Sequence, residues 1–181
     1  GRRSGQQSQN QYASALGTQS GYINQGSYAI AIGYQAGWVS MGLRGIAIGS
    51  FTGYGGFGSS EFQGDDAICI GVNTGFASQG TQAIAIGPNA GSFYQGQNAV
   101  SIGCLASQRN TFGRASGAIA IGYLAGRSYQ DNNSLAIGVA SGCSGQKTGA
   151  ISIGYGAGFS GQGTNSIAIG NEAGSIIQGT N

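Results

Sequence analysis

Side chains that could carry acid–base or nucleophilic chemistry are few in this chain and poorly placed for it. The 181 residues include no His and only five acids, Glu61, Asp65, Asp66, Asp131 and Glu172. Acid–base and nucleophilic catalysis lean on a positioned base, most often His. The one acidic pair, Asp65–Asp66, is adjacent in sequence, so on an extended strand its carboxylates point to opposite faces. It reads as a solvated corner. Cys69, Cys104 and Cys143 are odd in number with no C-x-x-C spacing, and without His they make a poor zinc set. They read as free thiols standing in for small residues. The stretch GYGGFG at residues 53–58 has the G-x-G-x-x-G spelling, but no helix follows and no βαβ pattern surrounds it. It reads as an aromatic-bearing bulge. Asn132-Asn133-Ser134 is a lone N-glycosylation sequon. No catalytic residue, cofactor site or metal site is expected.

Two recurring residue types promise contacts instead. Gln returns at Gln25, Gln63, Gln79, Gln95, Gln130, Gln146 and Gln162, flanked by Gln9 and Gln178 and interrupted by Met41 and Arg114. Carboxamides stacked copy on copy can hydrogen-bond to one another, so these are expected to form a structural ladder. Aromatic rings recur at Tyr22, Trp38, Tyr54 and Phe76, and again at Phe159. They are the candidate ligand surface, suited to a carbohydrate or another apolar surface, although rings that stack on each other would serve mainly to stiffen the protein.

Both series follow one period. The phrase A-I-A-I-G closes on Gly17, Gly33, Gly49, Gly71, Gly87, Gly103, Gly122, Gly138, Gly154 and Gly170, at intervals of 16, 16, 22, 16, 16, 19, 16, 16 and 16. Taking that Gly as position 0, ten copies of a 16-residue unit run along the chain. Two insertions, residues 57–62 (FGSSEF) and 111–113 (TFG), account for the longer intervals. Gly does not recur every third residue, which excludes collagen, and helical repeats need about twice this length. Small–large alternation is strand periodicity, and the later A-G and Q-G pairs supply corners. One strong strand, one weaker strand and two corners in 16 residues make one coil of an all-β, parallel β-solenoid. Residues 9–181 form this repeat domain, and residues 1–8, GRRSGQQS, read as a flexible N-terminal segment. At sheet spacing, ten coils give a rod of roughly 48 Å.

Stacking turns each sequence column into a physical ladder. Positions −4, −2 and +3 hold only small residues, and position +4 is Gly in nine of ten coils, with Ser107 the exception. Positions −3 and −1 hold the large aliphatics: Ile30, Ile32, Ile46, Ile48, Ile68, Ile70, Ile84, Ile86, Val100, Ile102, Ile119, Ile121, Leu135, Ile137, Ile151, Ile153, Ile167 and Ile169. Alternation sends the two sets to opposite faces. Either the aliphatics fill the coil, or the small columns do and the aliphatics form an outer stripe larger than a soluble monomer exposes. A column at +3 that never grows large favours the second arrangement. The aliphatics are then an oligomer interface at an intersubunit axis.

The phrases AIAIGYQAG (29–37) and SIAIGNEAG (166–174) resemble the S-V-A-I-G head repeats of YadA-like trimeric autotransporter adhesins, over Gln9–Asn181. That resemblance implies a left-handed β-roll, with three copies meeting through aliphatic residues on a threefold axis. The A-I-A-I-G-x-x-A-G-x-x-x-Q-G phrasing is also similar to repeat proteins of large DNA viruses and phage fibres.

Seven basic against five acidic residues give a net charge of +2, which makes no case for nucleic acid. No apolar run approaches the ~18–20 residues of a membrane span, so no membrane insertion is expected. The sequence therefore points to a homotrimeric structural or adhesive rod, extracellular, on a virion, phage or cell surface. A host surface or glycan and end-to-end self-association are its expected contacts. A self-assembling extracellular filament and an ice-binding solenoid are the alternatives.

Overall fold

The computed structural model describes residues 1–55, 62–109 and 115–179. Among these the chain is an all-β parallel solenoid with no helix. The A-I-A-I phrases form one parallel sheet of ten strands: Ser14–Leu16, Ile30–Ile32, Ile46–Ile48, Ile68–Ile70, Ile84–Ile86, Val100–Ile102, Ile119–Ile121, Leu135–Ile137, Ile151–Ile153 and Ile167–Ile169. Register is that of the repeat, with Ile30 beside Ile46 and Ala31 beside Ala47. The longer intervals leave it intact, since Ile48 pairs with Ile70 and Ile102 with Ile121. Both inserted segments lie largely outside the described residues.

A weaker ladder runs across the coil. Strands Gln7–Gln9, Ile23–Gln25 and Val39–Met41 form its start, and Ser160–Gln162 with Ile176–Gln178 its end. Between them it is reduced to single backbone bridges such as Gln63 with Gln79 and Arg109 with Ser128. Residues 1–8 belong to the stack, where the sequence had suggested a separate flexible segment. Gly1 stands 16 residues before Gly17, and Gly5 and Gln7 donate from their backbone nitrogens to the Ser20 and Tyr22 carbonyls. They form the second half of a coil.

Closing a coil in 16 residues requires backbone that most side chains avoid. The marker glycines have φ of 119–137°, and position +2 has φ of 51–60° in every coil, even where it is Leu105 or Leu124. A Cβ on Gly33 would strike the carbonyl of Gly49 in the next coil, which is why this column contains only Gly.

The interior is correspondingly thin. Ala29, Ala31 and Ala36 are fully buried, as are their equivalents Ala83, Ala85 and Ala90. Opposite them the largest wholly buried side chains are glutamines, including Gln25, Gln79 and Gln146. Small side chains bury little apolar area each. The backbone ladder and the glutamines therefore carry much of the burden that a large aliphatic core carries elsewhere.

Candidate interaction faces

The aliphatic columns lie outside the coil. In every strand of this sheet but the first, Ser14–Leu16, the middle residue is buried and the flanking pair is half-buried or exposed, as in Ile84–Ile86 and Ile151–Ile153. None of the aliphatics named above is buried in its own coil. Ile32 and Ile121 are 37% and 36% exposed, and Ile167 and Ile169 in the last full strand reach 56% and 63%. Each Ile is shielded mainly by its equivalents above and below. A continuous apolar face results, ten coils long and at most two side chains wide.

The glutamine column lies inside. Gln95 Nε2 donates to the carbonyls of Ile84 (2.9 Å) and Ala99 (3.2 Å), and to Ser101 Oγ (3.0 Å). Gln146 does the same with Leu135, Ala150 and Ser152. Each amide thus ties the start of one aliphatic strand to the approach of the next, clamping the coil across its width. Amide-to-amide bonds along the rod are also present, Gln79 to Gln95 at 3.2 Å and Gln146 to Gln162 at 3.2 Å. Sequence reasoning anticipated these bonds along the axis. It missed the clamp to backbone carbonyls, which depends on the coil's cross-section.

The aromatic column forms one stack. Ring centroids are 6.0 Å apart for Tyr22–Trp38, 4.8 Å for Trp38–Tyr54 and 5.1 Å for Tyr54–Phe76, with interplanar angles of 10°, 11° and 6°. Parallel rings at coil spacing cover one another's faces, and a sugar that stacks on aromatics needs a free face. Only the outer edges of these four rings are presented sideways, so the stack chiefly holds the coils together. Burial raises the Tyr54 hydroxyl above its ordinary pKa. Phe93 continues the stack at 6.3 Å from Phe76 but turned by 64°. Phe159, the later aromatic of the column, stands apart and is 45% exposed.

The remaining chemistry-bearing residues are dispersed. Asp66 accepts two hydrogen bonds from the Arg44 guanidinium, at 2.5 and 2.7 Å, while Asp65 Oδ1 accepts from the Leu43 backbone nitrogen at 2.8 Å. The two carboxylates serve separate structural contacts. Arg44 was not singled out in the sequence, although it stands in the same column as Asp66, along with the stacked pair Tyr12–Tyr28. All three cysteines are free thiols. Cys69 and Cys143 are buried, and burial pushes both thiols above their ordinary pKa, with Arg127 opposing the shift at Cys143. Among the described residues no three His, Cys, Asp or Glu side chains gather to hold a metal. Asn132 Oδ1 accepts from the Ser116 backbone nitrogen, and Ser134 of the sequon is buried. Of GYGGFG, Gly53 and Tyr54 close an ordinary coil, and the last three residues lie outside the described ones.

No family model, curated protein or solved structure matches this chain.

Proposed function

We propose that this chain is a structural and adhesive module, a stiff rod whose copies join side by side through the aliphatic face. Three copies around a common axis form the shaft of an extracellular fibre or spike on a virion, phage or cell surface. One observation carries the reading: the Ile columns point out of a coil already filled by Ala, Ser and Gln. Within one chain these outward aliphatics are only half-covered by their neighbours along the ladder, whereas a second copy would remove the rest of their surface from water. Stiffness comes from the coil-to-coil backbone ladder and from the clamps that hold each coil flat. No residue acts chemically in this mechanism.

Light scattering after size-exclusion chromatography tests the proposal directly. A mass of three chains that persists on dilution is expected. A stable monomer would overturn the side-by-side assembly. Masses that climb steadily with concentration would favour end-to-end filaments.

A further inference from the structure

Two hollows open on a side of the rod that the aliphatic face does not occupy, each walled mainly by position +2 on one side and by positions +5 and +6 on the other. One, of about 190 Å³, lies beside Asn73, Asn89 and Phe93, and the other, of about 360 Å³, beside Tyr155, Phe159 and Glu172. Between these hollows lie the coils of Gly103 and Gly122, where the +5 and +6 positions carry Gln108, Arg109 and Arg127. Six coil steps separate Asn73 from Glu172, roughly 29 Å at sheet spacing.

The chemistry of the walls narrows the occupant. Arg109 and Arg127 are exposed, and among the described residues neither guanidinium has a carboxylate partner. Arg127 Nε donates to Gln108 Oε1 at 3.3 Å, which ties that guanidinium to the neighbouring coil in the stretch between the hollows. No acid occupies positions +5 or +6 in any coil, and Glu172 on the opposite wall stands at the far end. At the near end, two carboxamides face an aromatic ring that has turned out of the stack, a combination that offers hydrogen bonds to hydroxyls beside an apolar surface. The floor cannot take an added peptide strand. Its backbone nitrogens are already committed coil to coil, Gly91 to Ala106, Ser107 to Ala125 and Gly126 to Ser141, each at 2.9 Å.

Resting on the adhesive reading above, we propose that a linear anionic glycan lies along the rod from one hollow to the other, across the coils of Arg109 and Arg127. Its carboxylate or sulfate groups meet Arg109 and Arg127, and its neutral hydroxyls meet Asn73 and Asn89. Glu172 repels anionic groups and so sets which part of the polymer is charged. Arg forks suit planar carboxylate and tetrahedral sulfate alike, so the shared chemistry is the anionic sugar.

Calorimetric titration of the whole chain with a size-defined polyuronate, a sulfated dextran and unmodified dextran tests this. Binding of at least one anionic polymer and none of neutral dextran is expected, with affinity falling as salt rises. The double variant Arg109→Gln/Arg127→Gln should weaken binding at least tenfold, and Phe93→Ala should weaken it without changing the salt dependence. Preference between uronate and sulfate identifies the source of the charge. Equal binding of neutral dextran, an unaffected double variant, or no binding of either anionic polymer at millimolar concentration would overturn the proposal. Light scattering on the same samples separates the two readings. A trimer that binds no glycan defeats this inference alone, and a glycan-binding monomer defeats only the assembly.

Discussion

The Cα of Gly91 faces the amide of Gln95 so closely that a Cβ there would stand 2.5 Å from Gln95 Oε1. The same contact recurs at Gly126–Gln130 and Gly142–Gln146. The Gly column at +4 and the Gln column at +8 are therefore one device: the absent side chain makes room for the clamp. Gly91 also has φ of 51°, where a Cβ costs about 1–2 kcal/mol. With overpacking of the buried amide added, Gly91→Ala should destabilise the fold by about 2–4 kcal/mol in urea unfolding. Gly91→Ala combined with Gln95→Ala should cost clearly less than the sum of the two single changes, because the clash is gone. Strict additivity would show that the columns are independent.

A second prediction concerns the break at Met41. Gln79, Gln130, Gln146 and Gln162 each donate along the rod to the next Oε1, but Met41 has no amide to give, and Gln63 Oε1 is buried without a partner. Met41 occupies the same seat, with its Sδ against Gly37 where Gln25 lies against Gly21. Met41→Gln should therefore fit without rearrangement and supply the missing bond. An unpaired buried acceptor costs about 1–3 kcal/mol, so a gain of about 1 kcal/mol and a higher Tm are expected. A loss of stability would show that the seat differs from those of its neighbours.

What could be read beforehand was everything that repeats within a column. The Gly marker gave the coil length, alternation put Ala31 and Ile32 on opposite faces, and the uniformly small +3 column favoured Ala31 inward, which is the arrangement found. Contacts between columns were hidden, because they depend on how tightly the corners turn. Thus Gly91 and Gln95 were each noticed, but not their contact. Ser107, the one non-Gly at +4, and Arg114, a break in the Gln column, fall in the same coil. That coincidence was the available signal. The aromatic column was visible, but whether its rings present faces or edges depends on side-chain rotation about a coil axis that the sequence does not specify. The two hollows went unseen because the positions that wall them, +2 and +5/+6, vary in type from coil to coil.

Alkaline stability should hinge on Cys69. Its thiol is buried in the small inward column, and burial holds its pKa far above the ordinary value. In the unfolded chain it ionises near pH 8.5, so above that pH the unfolded state loses a proton that the folded state keeps. Stability should then fall by about 1.4 kcal/mol per pH unit for this group, with Cys143 adding to the slope. Cys69→Ala, which restores the residue most common in its column, should flatten the decline. An unchanged slope between pH 9 and 10 would assign it to other groups.

Acid sensitivity should be slight and traceable to a single pair. Asp66 has its pKa lowered by the hydrogen bond and charge of Arg44, and there is no His to titrate. A lowered folded pKa adds stability that is present above the unfolded value near 4 and lost as pH falls through the folded one. The pair is solvent-exposed, so the effect is small and should shrink further at high salt. Melting temperatures from pH 7 to 2.5 should show a shallow drop that Asp66→Asn removes. A steep drop that survives the substitution would mean another carboxylate matters more.

The aliphatic face gives the sharpest separation between folding and assembly. Ile86 and Ile121 sit at position −1, outside the coil, near the middle of the stripe. Replacing an Ile that fills a core costs about 2–5 kcal/mol and threatens the fold. Replacing one that faces outward removes contacts mainly with its neighbours along the ladder. A β-branched Thr keeps the strand preference while lowering apolar area, so Ile86→Thr/Ile121→Thr should leave the circular dichroism spectrum unchanged. Lys at both positions goes further, because burying an unpaired ammonium against another copy is strongly unfavourable. Ile86→Lys/Ile121→Lys should therefore yield a folded monomer under conditions in which the unmodified chain forms the proposed trimer. Unfolding of the Thr variant would place these side chains in the coil's own core, against the packing described here. Retention of the trimer by the Lys variant would move the intersubunit axis to another face of the rod.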